Sequence, residues 1–131
     1  TTLNTYLNER VYKALPIGWR QLVKKVKVPG NAGSAKTDIS TADCYIFIPS
    51  AIELDANMSS EPYVYEGTAI DFITTNTSRK RTNPDGEVVA YWTRSPNKDY
   101  SAYYNAVNTS GEIYGYFYPT DMNDILMMFS I

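Results

Sequence analysis

The chain has 131 residues, which suits one domain with a single substantial core, and we expect one domain over residues 1–131. Its net charge is only −2, so its overall charge gives no reason to expect binding to nucleic acid or to an anionic membrane. The sequence has no histidine and one cysteine, which excludes Ser-His-Asp and Cys-His catalysis, most zinc chemistry and an internal disulfide. No apolar run approaches the roughly 18–20 residues that a membrane-spanning helix needs.

In the first half of the chain, residues 2–14 have helical spacing, with apolar residues on one face and Asn8 among the polar residues opposite. Thr1 or Thr2 can cap the start of this helix. Cys44 lies in an apolar stretch and is expected to be a small buried side chain. Before Cys44, the sequence predicts a turn or short helix over 16–19, a helix or strand over 21–28 and a loop over 29–34. A buried strand is predicted over 43–49 and a helical turn over 49–54. Irregular chain over 55–66 and a short helix over 69–73, which runs out towards 81, complete this half.

The second half is rich in strand and turn signals. Its predicted elements are a turn over 83–86, strands over 88–93, 102–107, 113–118 and 125–131, and a hairpin connection over 108–111. The last of these strands is expected to pack into the fold. Helices first and strands last predict an α+β fold, with an N-terminal helix and a short second helix around a small twisted antiparallel sheet.

Charge and acidic residues offer few alternatives to a binding function. Residues 1–30 hold six cations and one acid, whereas residues 97–131 hold one cation and four acids, which indicates a dipole across the domain. A basic nucleic-acid arm is the alternative, but the stretch lacks interleaved stacking aromatics.

The acids Asp121 and Asp124 could form a catalytic pair, although solvated loop acids explain them more simply. The oxygen-rich segment 83–87 could bind calcium, although a hairpin turn explains the same residues. We therefore expect no enzyme activity, no cofactor and no metal.

The string Tyr91-Trp92-Thr93-Arg94-Ser95-Pro96 is the most specific in the sequence. Trp92 and Arg94 are two positions apart on a predicted strand and point to the same side of it. Trp92 can fill the core, and a buried Arg94 would need a carboxylate or carbonyl partners. Pro96 is expected to end the strand. Trp92, Arg94 and Ser95 are therefore predicted to be structural anchors.

This string resembles the (Y/W)-W-L-R-S-P signature of a C-type-lectin-like domain found in uncharacterised bacterial and phage proteins, often tail-associated or surface proteins. Further pieces are similar in the order of that family, namely residues 5–10, 46–53, 107–113 and 124–131. Asp124 and Met127 depart from the Gly and Pro usual in the closing segment. The broader fold includes formylglycine-generating enzymes, whose reactive cysteines have no counterpart here, and the variable proteins of diversity-generating retroelements. Calcium-dependent sugar motifs of such lectins do not occur here.

The resemblance implies a C-type-lectin-like fold that presents its C-terminal part to ligands. The chain has twelve tyrosines, a residue that offers a large ring with a polar hydroxyl and suits contact surfaces. Strand alternation puts Tyr114, Tyr116 and Tyr118 on one face and Ile113 and Phe117 on the other. The predicted ligand-binding residues are Asn97, Asp99, Tyr100, Tyr103, Tyr104, Asn105, Tyr114, Tyr116, Tyr118, Asp121 and Asn123. The alternative is that half of the tyrosines pack beneath loops with their hydroxyls bonded.

The function expected from this reading is recognition of a host-surface protein or glycan by a phage tail or a bacterial surface or secreted protein. An alternative is an assembly domain whose tyrosine face is covered by other subunits, for example in a homotrimer. No nucleic acid and no membrane are expected as partners.

Overall fold

The computed structural model describes residues 2–31, 39–100 and 102–131, which form a mixed α+β structure. The first helical segment, α1, has α-helical turns at Leu3–Tyr6 and Tyr12–Ala14 around a π-helical turn at Leu7–Val11. Thr2 caps it, because the Thr2 hydroxyl accepts a hydrogen bond from the backbone N–H of Thr5 at 3.1 Å. The predicted N-terminal helix is confirmed.

A short helix and a hairpin follow α1. Helix α2 spans Ile17–Leu22, and strands β1 (Val26–Asn31) and β2 (Ile39–Cys44) pair antiparallel. The ambiguous stretch 21–28 is therefore helical at its start and extended at its end. The predicted loop over 29–34 is wrong for residues 29–31, which belong to β1, while residues 32–34 lie outside the described part of the chain.

The buried strand predicted over 43–49 is wrong beyond Cys44. The side chain of Asn8 on α1 replaces a neighbouring strand there, since its Oδ1 accepts hydrogen bonds from the N–H groups of Tyr45 and Ile46 at 2.6 and 3.1 Å. Its Nδ2 also donates to the Ile46 carbonyl at 2.9 Å. Asn8 thus faces inward, not with the polar face of α1. Cys44 itself is 2% exposed, as expected.

The middle of the chain is made of single turns. Helix α3 spans Ala51–Leu54, where a helical turn was predicted, and the Ser50 hydroxyl caps it by accepting from the Glu53 N–H. Two 3₁₀ turns follow at Tyr63–Tyr65 and Asp71–Ile73, and helix α4 spans Asn76–Arg79. The short helix predicted over 69–73 is therefore one 3₁₀ turn, separate from α4.

The remaining strands lie in two antiparallel sheets. Strands β3 (Arg81–Thr82) and β4 (Val88–Val89) form a hairpin around the predicted turn over 83–86. Strands β5 (Tyr91–Pro96), β6 (Tyr104–Val107) and β7 (Ile113–Phe117) form a sheet in that order, and β5 ends at Pro96 as expected. The predicted strand over 88–93 is thus two strands, and the strands over 102–107 and 113–118 are confirmed with shorter bounds.

Gly111 makes the connection between β6 and β7 possible. Its φ is 81°, and a Cβ there would lie 1.9 Å from the Asn76 carbonyl oxygen, so only glycine fits this turn. The hairpin connection predicted over 108–111 is confirmed.

The predicted closing strand over 125–131 is wrong as a continuous strand. The segment makes only isolated bridges, with Met128 opposite Phe47 and Ser130 opposite Lys24. Leu126 packs against the core, but Met127 and Ile131 are 49% and 68% exposed. It therefore covers part of the fold without joining a sheet.

Two hydrophobic clusters make up the core. One joins Tyr91 and Val107 of the three-stranded sheet to Leu54 and Ile73. The other joins α1 to the segment after β2, and Trp92 packs against it. Strand β5 therefore contributes to both clusters, through Tyr91 and Trp92. In the described part of the chain, no helix is long and apolar enough to cross a bilayer.

Candidate functional site: a tyrosine surface on a buried polar frame

Arg94 on β5 lies at the centre of the fold. Its guanidinium donates to the carbonyl oxygens of Pro29, Ile48 and Glu66 at 2.9, 2.8 and 2.6 Å, and it forms an ion pair with the carboxylate of Glu53. The Arg94 side chain is 14% exposed and that of Glu53 is 10% exposed. The expectation that a buried Arg94 would bind a carboxylate and carbonyl groups is confirmed.

Ser95, the next residue, is fully buried and joins β5 to α3. Its hydroxyl oxygen accepts a hydrogen bond from the Ala51 N–H at 2.9 Å. On the same strand, the Thr93 hydroxyl donates to the Asn105 carbonyl at 2.7 Å. Ser95, predicted to be a structural anchor, thus bonds to another element of the fold.

Glu66 is a second buried carboxyl group beside Arg94. It is fully buried, and neither of its carboxylate oxygens makes a well-formed hydrogen bond to the described residues. Burial raises the pKa of Glu66 to about 7. The Ser95 hydroxyl, the Asn31 backbone and Arg94 lower this pKa by less, and the nearby Glu53 raises it further. Arg94 thus forms an ion pair with the Glu53 carboxylate, and it acts on the Glu66 carboxyl group only through its charge.

Asn97 and Asn105, both predicted to bind ligand, lie beneath the surface at 8% and 3% exposure. Asn97 Oδ1 accepts from the N–H groups of Asp99 and Tyr100 at 2.8 and 3.1 Å, and its Nδ2 donates to the Gly115 carbonyl at 2.7 Å. Asn105 Nδ2 donates to the Tyr63 hydroxyl and to the Ser95 carbonyl at 3.1 and 3.2 Å. Through these hydrogen bonds the two side-chain amides hold the neighbouring loop and strands in place. Because both side chains are buried, they are shielded from a ligand.

We call the buried polar side chains around β5 the polar frame. Its members are Glu53, Glu66, Arg94, Ser95, Asn97 and Asn105.

Above the polar frame, five tyrosines form one connected cluster of rings, which we call the tyrosine surface. Its members are Tyr100, Tyr103, Tyr114, Tyr116 and Tyr118. Ring centroids are 5.4 Å apart for Tyr103 and Tyr116 and 4.9 Å apart for Tyr103 and Tyr118. Tyr114, Tyr116 and Tyr118 are 46%, 51% and 50% exposed, as strand alternation predicted.

The hydroxyl groups within the tyrosine surface are also ordered. Those of Tyr103 and Tyr118 are 3.2 Å apart, within hydrogen-bond distance. This bond and the neighbouring tyrosine hydroxyls raise the pKa of Tyr103 above its ordinary value, so its phenol stays neutral at physiological pH. A neutral phenol both donates and accepts, and the cluster can therefore bond polar ligand groups while its rings cover apolar ones.

The other predicted ligand residues have different positions. Asp99 is exposed beside the surface, and Asp121 closes the turn after β7, where its carboxylate accepts from the Tyr118 N–H at 2.7 Å. Asn123 is half-buried. Tyr104 is separate from the tyrosine surface, because its ring packs edge-on against Trp92 with the centroids 6.4 Å apart.

The prediction missed Tyr63 and Glu66. The Tyr63 hydroxyl accepts from the Lys98 N–H at 2.8 Å and from Asn105, so it fixes the start of the loop that carries Tyr100. Nothing in the local sequence indicated this contact, since Tyr63 is 42 residues from Asn105 in a stretch predicted to be irregular. Glu66 lies at the end of the same stretch, residues 55–66, which was predicted to be irregular.

Within residues 2–31, 39–100 and 102–131, no three Cys, Asp or Glu side chains come together as a group that could hold a metal ion. Asp121 and Asp124 are both exposed, and Asp121 is engaged with the backbone.

The geometry defines a mixed α+β protein with an aromatic surface supported by a buried polar frame. A family model described as "Domain of unknown function (DUF6273)" matches residues 1–122. The match covers most of the chain, and the chain therefore belongs to this family. Neither the curated proteins nor the solved structures gave a match.

Proposed function

We propose that the protein is a non-catalytic recognition module that binds a protein or glycan through the tyrosine surface. The observation that carries the proposal is the exposure of Tyr114, Tyr116 and Tyr118 as one connected group with Tyr100 and Tyr103. Such rings give contact area at little cost in side-chain entropy, as in antibody contact surfaces. An isolated exposed tyrosine would not indicate a binding surface, because single exposed hydrophobic residues are normal on proteins.

The support beneath the rings favours binding through a preformed surface. Asn97 attaches the loop bearing Tyr100 to Gly115 in the middle of β7, and Asn105 attaches β6 to the end of β5. A surface that is ordered before binding loses less conformational entropy on association. No cofactor is needed for this mode of binding.

We also propose that the α+β structure is a C-type-lectin-like fold and that it serves a phage tail protein or a bacterial surface or secreted protein. The proposal is supported by the resemblance of the Tyr91–Pro96 string and by the central position of that strand. In a fold of this kind the C-terminal part presents the ligand surface, which is where the tyrosines lie.

The test is binding of the purified protein to whole bacterial cells and to a glycan array. The variant Tyr114→Ala/Tyr116→Ala should lose at least about tenfold in affinity, as expected when central aromatic anchors are removed. Tyr6→Ala is the matched control, because Tyr6 is 49% exposed on α1, away from the tyrosine surface. Equal binding by the double variant and the wild type, with both folded, would refute this site.

A second candidate, an assembly domain, is favoured by the position of β7. Within the described residues, β7 pairs only with β6, so the exposed rings lie on the last strand of the sheet, where a second subunit could cover them. Analytical ultracentrifugation separates the two functions. A stable oligomer that the Tyr114→Ala/Tyr116→Ala variant cannot form would favour assembly, for example as a trimer, over recognition.

A further inference from the structure

A cavity of about 540 Å³ lies beside the three-stranded sheet, and no residue of the tyrosine surface lines it. Its walls come from α1, from both strands of the β1–β2 hairpin and from β5. Trp92 and Tyr104, which pack edge-on against each other, form one side of it. The volume is within the roughly 300–1,000 Å³ range of small-molecule sites in proteins.

Among the described residues that line the cavity, most are apolar and Arg94 is the one charged side chain. Leu7, Val28, Phe47 and Ile48 provide aliphatic and aromatic area. Arg94 also borders the cavity, but its guanidinium is engaged by three carbonyl oxygens and by Glu53. A charged ligand would lose its hydration here without gaining an opposite charge.

Cys44 and Asn4 are among the polar residues of the wall. The Cys44 thiol donates to Asn4 Oδ1 at 3.1 Å, and burial raises the pKa of Cys44, so the thiol stays neutral at physiological pH. The wall therefore combines neutral hydrogen-bonding groups with aromatic rings, which suits an uncharged ligand.

The walls are held apart by hydrogen bonds between the elements that form them. Asn8 fixes α1 to residues 45 and 46, and Arg94 fixes the Pro29 carbonyl of β1. The β1–β2 ladder then holds the second strand of the hairpin. Because these elements cannot close onto one another without breaking those bonds, the cavity is preformed.

We propose that this cavity is a binding site for a small, uncharged, mainly apolar molecule that packs against Trp92. The site is separate from the tyrosine surface, and its occupation does not depend on the recognition function.

The structure provides a matched pair of variants for the test. A Cβ at Gly30 or at Gly18 would meet open space, but only Gly30 lines the cavity. Gly30→Leu should therefore fill part of the cavity, whereas Gly18→Leu places the same side chain on the exposed surface of α2. Leu3→Glu and Val64→Glu form a second pair, since both residues are 38% exposed and only Leu3 lines the cavity.

The probe is N-phenyl-1-naphthylamine, an uncharged fluorescent molecule, titrated into each folded variant while Trp92 emission is followed in a Trp19→Phe background. We expect the probe to bind saturably and to quench the emission of Trp92. Gly30→Leu and Leu3→Glu should each lower the affinity for the probe at least about tenfold, whereas the controls Gly18→Leu and Val64→Glu should change it less than about twofold. Far-UV circular dichroism establishes that each variant is folded. Absence of saturable binding, wild-type affinity in both Gly30→Leu and Leu3→Glu, or loss of binding in Tyr116→Ala would each overturn the proposal.

Discussion

Asn97 and Gly115 join the loop before β6 to the middle of β7, since Asn97 Nδ2 donates to the Gly115 carbonyl oxygen at 2.7 Å. The same asparagine accepts from the N–H groups of Asp99 and Tyr100. One buried side chain therefore sets the position of Tyr100 relative to Tyr114 and Tyr116. The spacing of the tyrosine surface depends on this contact.

Gly115→Ala should destabilise the protein because the new Cβ would lie 2.8 Å from Asn97 Nδ2 and 3.1 Å from Asn105 Oδ1. Displacing two bonded amides in a packed region should cost about 1–3 kcal/mol. Urea unfolding measures this loss. Gly18→Ala is the control, because a Cβ at Gly18 meets open space in helix α2, and alanine there should raise stability by about 0.5–1 kcal/mol. Equal stability of Gly115→Ala and the wild type would contradict the close contact.

Asn97→Ala should loosen the loop that follows β5 while leaving the core strands in place. The N–H groups of Asp99 and Tyr100 lose their acceptor, so their hydrogen exchange should accelerate, whereas that of Trp92, which donates to the Asp124 carbonyl at 3.0 Å, should not change. Hydrogen–deuterium exchange followed by NMR resolves these amides. Unchanged protection of Asp99 and Tyr100 would show that Asn97 is not what orders the loop.

The local sequence pattern was sufficient to predict part of this site. Period-two alternation correctly predicted that Tyr114, Tyr116 and Tyr118 are exposed together. It also put Phe117 on the opposite face from Tyr114, whereas their ring centroids are 5.5 Å apart and the pairing of β6 with β7 shifts register between Tyr104 and Ala106. The partners of Arg94 were also predictable in kind, since a buried guanidinium must be bonded. Which carboxylate it meets was not, because Glu53 is 41 residues away and the fold alone brings them together.

The errors have a common physical cause, which is competition for backbone hydrogen bonds by side chains distant in sequence. The Asn8 side chain accepts the hydrogen bonds of the Tyr45 and Ile46 N–H groups. This apolar stretch therefore does not continue as a paired strand, despite its strong strand propensity. Asn97 and Asn105 read as surface residues because asparagine is usually exposed, yet each is buried and bonded. Composition and periodicity describe the conformational preference of a residue. They do not reveal a hydrogen-bond partner that is distant in sequence.

Arg94→Met should destabilise the protein strongly. The substitution leaves the carboxylate of Glu53 without its ion pair and three carbonyl oxygens without a donor, and breaking a buried pair of this kind costs about 3–5 kcal/mol. Lys27→Met removes an ion pair to Asp43 whose two side chains are 77% and 55% exposed, and it should cost less than about 1 kcal/mol. Chemical denaturation compares the two. A loss for Arg94→Met as small as that for Lys27→Met would contradict the central position of Arg94.

Glu66 should make stability depend on pH in the direction opposite to that of a salt-bridged acid. Its pKa is about 7 in the folded protein and near the ordinary value of 4.5 when unfolded, so the folded state binds more protons between these values. The contribution of Glu66 to the free energy of unfolding is therefore fully present below about pH 4.5 and falls by about 3 kcal/mol as pH rises to about 7. Glu66→Gln, which cannot ionise, should remove this part of the slope and be the more stable protein at pH 8.

The measurement is urea unfolding of both proteins from pH 4.5 to pH 8, in which only the difference between their slopes is attributed to Glu66. Arg94 and Glu53 are the charged groups that act on the Glu66 carboxyl, and both are present in the variant as in the wild type. Glu112→Gln, a change at an exposed residue, is the control and should keep the wild-type slope. Parallel curves for Glu66→Gln and the wild type would mean that the buried carboxyl does not titrate in this range.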